Sequence, residues 1–138
     1  MLTINIMAEN LKNKAKNYFI LGVIAENLNM PSEAATNFFK ALFAVDDAAL
    51  LEKINNRPKD HSERFGMLKE NIPELYTITD RLFGIYRRTY TQDLEKEEAK
   101  LVKKRIMEAF ANAKIPAPTA EEVKAKFREL IEKGKLFG

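Results

Sequence analysis

The segment 31–54, PSEAATNFFKALFAVDDAALLEKI, constrains the fold more than any other part of the chain. Its apolar residues recur at helical spacing on two adjoining stripes. Phe38, Leu42, Val45 and Ala49 make one, and Phe39, Phe43 and Leu50 make the other. A helix apolar over so much of its circumference must be covered on several sides, so it is read as the centre of an all-helical fold. Asp46 and Asp47 interrupt it. A buried carboxylate needs a cation or several donors. The natural cations in the sequence are Arg87 and Arg88, with Arg81 one face-step earlier. Three arrangements are open: an inter-helix ion pair, an Asp–Arg site accessible to a ligand, or a solvated pair.

Helical spacing continues through nearly the whole chain, and no stretch alternates like a strand. The first helix is expected over 8–29, with Leu11, Ala15, Tyr18, Gly22 and Ala25 on one face. The second spans 31–54. The segment NNRPKDHS then breaks the helix, because Pro58 forces Arg57 into extended backbone. Asp60 or Ser62 can cap a short third helix reaching about residue 70. Pro73 suits the start of a fourth, over 73–90. Thr91 can cap a fifth, over 92–113. Thr119 to Glu122 spells a capping box, so a sixth is expected over 120–133 with Gly134 at its end.

These elements predict an all-α antiparallel bundle of four to five helices plus a C-terminal amphipathic helix. The expected organisation is an extension over 1–7 (with Met7 a second candidate start), a bundle over 8–113 and a linker over 114–119. A helix over 120–134 would pack on the bundle or on a partner. If helices 2, 3 and 4 alternate in direction, helices 2 and 4 end at the same pole. The 55–62 loop with His61 would then neighbour the Arg87–Tyr90 region.

Length and composition narrow the function classes. The 138 residues suffice for one core without staples. The chain has no cysteine, which removes disulfides, thiolate metal sites and cysteine nucleophiles. No apolar run reaches the length of a membrane span, and the first ten residues do not resemble a signal peptide. A cytoplasmic location and no membrane association are therefore expected. The net charge of +3 is spread out, without the one-signed segments of a non-specific nucleic-acid binder.

The candidate site residues are few. His61 is the single histidine, and neither a metal cluster nor a cofactor motif accompanies it. It reads as a hydrogen-bonding loop residue or as a ligand contact. Tyr86 and Tyr90 share a face of the fourth helix and could stack on bases beside an arginine, or simply rim the core. Arg87 and Arg88 could meet phosphate, or a carboxylate. The ligand-binding set expected here is Arg87, Arg88, Tyr90, Asp46 and Asp47.

Three segments in order resemble proteins of the HEPN family: AATNFFKALFAVDDAALLEK, NNRPKDHSERFGML and ELYTITDRLFGIYRRTYT. The middle one resembles the family's RPKTHSG-like segment through Arg57, Pro58, Lys59, His61 and Ser62. The likeness covers roughly residues 10 to 112 and leaves out the tail helix. It implies a helical bundle, commonly homodimeric, that accompanies nucleotidyltransferases or acts on RNA. Active members are metal-independent ribonucleases, some of them toxins of toxin–antitoxin pairs. They use an arginine followed four to six residues later by a histidine. Here that histidine is missing, because Gln92, Asp93, Leu94 and Glu95 fill the required positions. The expectation is a non-catalytic binding or assembly module for nucleotide, RNA or a nucleotidyltransferase partner. The alternatives are a ribonuclease using Arg87 or Arg88 with His61, and a purely protein-binding helical module.

Overall fold

The computed structural model describes residues 2–134, and every regular element in them is helical. The order is α1 (Leu2–Asn27), α2 (Pro31–Ile54), α3 (His61–Asn71), α4 (Pro73–Arg88), α5 (Lys96–Asn112) and α6 (Ala120–Glu132). No described helix is long and apolar enough to cross a membrane.

α2 is the central helix, as its two apolar stripes require. Phe38, Phe39, Leu42, Val45 and Leu50 are fully buried in it. α1 covers it through small residues: Ala8, Ala15 and Gly22 recur every seven positions and are all buried. This lets the two backbones approach closely. A Cβ on Gly22 would come within 2.5 Å of the Phe38 ring. Phe38 in turn packs on Phe19, and Phe19 on Phe110 of α5, with centroids 5.4 and 5.5 Å apart.

Pairings fix the helix directions. Lys12 meets Glu52 and Phe19 meets Phe38, so α1 and α2 are antiparallel. Asp46 meets Thr79 and Phe39 meets Tyr86, so α2 and α4 are antiparallel too. His61 packs beside Phe43, and Arg64 beside Asp47 three to four residues further along both helices. α3 therefore runs in the same direction as α2.

That corrects the expected alternation. The chain after Ile54 does not return as a helix. It doubles back through 55–60 as irregular backbone, and Asn55 starts the reversal in left-handed conformation with φ 55°. Retracing eleven helical residues takes about 16 Å, which six extended residues can span. The pre-proline Arg57 and the extended Asp60 (φ −153°) favour this stretched path. His61 does reach the α4 C-terminal half, but by this parallel route.

Three boundaries also differ from expectation. α1 begins at Leu2, so residues 2–7 continue the helix rather than form an extension. No breaker interrupts them, and Ile4 adds a contact with the core one turn before Ala8. Met1 lies outside the described residues. α4 stops at Arg88, and α5 starts at Lys96, capped by Glu95 instead of Thr91. The delay follows from Leu94, which is buried and whose N–H donates to Ser32 Oγ at 2.7 Å. Residues 114–119 connect α5 to α6 as irregular backbone, with Ile115 and Pro118 buried. The expected capping box of α6 is present, and the helix rests on α1 and Val123 is buried.

Candidate functional site

The two acids of α2 sit about 100° apart on the helix and address different neighbours. Asp47 receives two hydrogen bonds from the side of one guanidinium. Arg64 Nε donates to Oδ1 at 2.8 Å and Nη2 to Oδ2 at 3.1 Å. Both residues are buried, and Arg64 also lies over the Phe43 ring at 5.0 Å. Arg57 approaches the same carboxylate from the loop at 3.9 Å. Asp46 is fully buried and accepts from Thr79 Oγ1 at 2.7 Å, while its other oxygen has no partner among the described residues. Burial therefore drives the Asp46 carboxyl well above the usual carboxylate range, against the smaller stabilising effects of Thr79 and Arg64.

Neither acid touches Arg87 or Arg88, and this overturns the expected pairing. The reason is geometric. Arg88 lies on the side of α4 facing α5, where it donates to Glu98 Oε2 at 2.7 Å. Glu98 in turn accepts from the Glu95 backbone N–H. These two contacts, the backbone one first, hold the Glu98 carboxyl below its ordinary range. Arg87 points away from that joint. It is exposed and forms no ion pair among the described residues. Of the two adjacent arginines, one joins helices and the other stands open.

Arg64 escaped the sequence reading. Its signal was available: it stands four residues before Leu68 and eight before Ile72, on the buried stripe of α3. An arginine on such a stripe requires an acid opposite, and α2 has two.

The third corner of Arg64 reaches the surface. Its Nη1 lies 2.7 Å from His61 Nδ1. A guanidinium can only donate, so Nδ1 must accept and the proton must sit on Nε2. Burial first, and then the Arg64 charge, lower the His61 pKa, so the ring is neutral at pH 7. Nε2 has no hydrogen-bond partner among the described residues and is not buried. His61 thus presents one fixed N–H donor.

Aromatic rings pack against the imidazole. Phe43, Phe83 and Tyr86 lie 4.7, 5.4 and 5.4 Å from the imidazole. Tyr90 lies 5.4 Å beyond Tyr86, edge to face, and their hydroxyls are 2.5 Å apart. Burial, and then the contact with Tyr90, raise the Tyr86 phenol to about 12. Tyr90 itself is 72% exposed. Helix geometry places Arg87 beside this face, four residues after Phe83 and three before Tyr90. His61, Tyr86 and Tyr90 therefore share one surface, and Arg87 is the next residue of α4 after Tyr86. Asp46 and Arg88 lie outside it, and Asp47 acts from beneath through Arg64.

A cleft lies elsewhere. It measures about 390 Å³ between α1 and α6, lined by Val23, Ile24, Leu28, Val123 and Phe127. It contains none of the site residues. No described group of histidines and acids could hold a metal ion.

The fold is an all-helical bundle, and this face is rich in aromatic rings. No family model, curated protein or solved structure matches the chain.

Proposed function

We propose that this chain is a non-catalytic, HEPN-like binding module whose α3–α4 face takes single-stranded RNA or its nucleotides. One observation carries the reading: Tyr90 stands 72% exposed beside Arg87, an arginine without an ion pair among the described residues. A base can stack on an exposed tyrosine, and the adjacent guanidinium suits its phosphate. The HEPN likeness points to the same ligand class, and to a second copy or a nucleotidyltransferase as protein partner.

The state of His61 argues against the ribonuclease alternative. A general base needs a free ring lone pair, but Nδ1 is engaged by Arg64 and Nε2 carries the proton. A general acid needs an imidazolium, which burial and Arg64 disfavour. The ring is set up to donate a hydrogen bond rather than to transfer a proton.

The chain has no tryptophan, so tyrosine emission reports directly on this face, which holds Tyr86 and Tyr90 of its four tyrosines. Titration with AMP and with a short unstructured RNA is expected to quench it, and the two arms separate nucleotide from strand. Arg87→Ala should weaken binding about tenfold, the effect of one charged hydrogen bond. Absence of quenching by either ligand, with a protein partner binding the same face, would replace this reading with a protein-interaction module. Chelator-resistant RNA cleavage that is lost in both His61→Ala and Arg88→Ala would establish the enzyme instead.

A further inference from the structure

We infer that His61 reads the bound base as a locked donor, so that the face favours bases bearing a ring carbonyl over those bearing an amino group at the same position. This inference rests on the RNA-binding reading above and names which RNA it takes: uridine-containing strands over cytidine-containing ones.

An ordinary surface histidine cannot discriminate this way. Its neutral ring exchanges tautomers, so the same nitrogen donates to a carbonyl or accepts from an amine. Here the exchange is blocked from below. Asp47 holds Arg64 by two hydrogen bonds, at 2.8 and 3.1 Å, which fixes the plane of the guanidinium. The remaining Nη1 then points at Nδ1 from 2.7 Å. Moving the proton to Nδ1 would set two donors against each other in a partly buried place. Arg64 is itself only 9% exposed and is braced by Phe43, so it cannot swing aside at little cost. The imidazole plane is fixed in turn by Phe43, Phe83 and Tyr86.

The ligand chemistry follows from what the open edge offers. Nε2–H meets a carbonyl oxygen favourably. It meets an exocyclic amine donor to donor. Uracil and cytosine differ at position 4 in just this way, carbonyl against amine. Unpaired bases expose that edge in single-stranded RNA. His61 and Tyr90 each pack on Tyr86 with ring centroids 5.4 Å apart, so shelf and donor flank the same ring. Tyr90 and Arg87 supply affinity without regard to the base, and His61 supplies the choice.

The test compares oligo(U) with oligo(C) of equal length by tyrosine quenching, alongside the imidazole spectrum of the same protein. With a single histidine, two-bond proton–nitrogen correlations show one ring and reveal its tautomer. Oligo(U) should bind about tenfold more tightly than oligo(C), the difference of one hydrogen bond against a mismatched donor. The ring should be protonated on Nε2. His61→Phe keeps the aromatic packing, removes the donor and should bring the ratio to about one. Asp47→Leu/Arg64→Met removes the lock and should also lower the ratio. Equal binding of the two strands, or a preference for oligo(C), would overturn this inference and leave the RNA reading standing. Binding of neither would overturn both. A ring protonated on Nδ1 would show that Arg64 does not set the tautomer, and would overturn the lock on its own.

Discussion

Replacing Arg64 with methionine tests the joint beneath the candidate face. Methionine keeps most of the buried volume and removes the guanidinium. Asp47 is then left buried, with one remaining cation, Arg57 at 3.9 Å on a half-exposed side chain. Breaking a buried pair from one side costs about 3–5 kcal/mol. Arg57 can move closer and offset part of this, so the expected loss is about 2–4 kcal/mol. With a urea slope of about 2 kcal/mol/M, the midpoint falls by about 1–2 M. Asp47→Leu/Arg64→Met removes both charges together. It should return to within about 1 kcal/mol of the parent, because no charge is stranded. Far-UV circular dichroism in urea measures both variants. A single variant that loses less than about 1 kcal/mol, or a double variant as unstable as the single, would refute a buried, mutually dependent pair.

Other outcomes follow from the same structure. Gly22→Ala brings a methyl group to 2.5 Å from the Phe38 ring, so it should lower stability by about 1–3 kcal/mol in spite of alanine's better helix propensity; thermal melts read this directly. His61 has a lowered pKa when folded, so the unfolded chain binds the proton more readily; its contribution to stability is complete above about 6.5 and falls as the pH drops below that. Urea midpoints across that range should show an acid-side decline that His61→Gln reduces. Asp46 behaves oppositely. Its raised pKa gives a contribution complete below 3.8 and lost as the pH rises through the folded value. Asp46→Leu/Thr79→Val, which removes the unpartnered oxygen and its donor together, should be neutral to stabilising at pH 7.

Much of the fold was legible because it depends on local pattern. The apolar breadth of 31–54 correctly placed that helix at the centre, and Pro31, Pro73 and the Thr119–Glu122 box marked helix starts that the structure shares. The direction of α3 was not legible. It depends on how far six irregular residues travel, and that is decided by which side chains α3 must bury against α2. The start of α5 failed for a similar reason, since a long-range contact between Leu94 and Ser32 overrides a good local cap at Thr91. At the site, the company of Tyr86 and Tyr90 was foreseeable from helix spacing, whereas His61 was expected there from an alternation of helices that the structure does not have. The acids' partner was not, because adjacent Arg87 and Arg88 drew attention from a single arginine on the buried stripe of α3. Adjacent residues on a helix diverge by about 100°, so that pair was bound to split between two surroundings.

The central claim is that Arg87, and not Arg88, serves the ligand. Tyrosine-quenching titrations with a short unstructured RNA on Arg87→Ala and Arg88→Ala test it most directly. The structure predicts about a tenfold loss for Arg87→Ala. It predicts little change for Arg88→Ala, whose guanidinium is already engaged by Glu98 at 2.7 Å. Equal losses, or a larger one for Arg88→Ala, would contradict it.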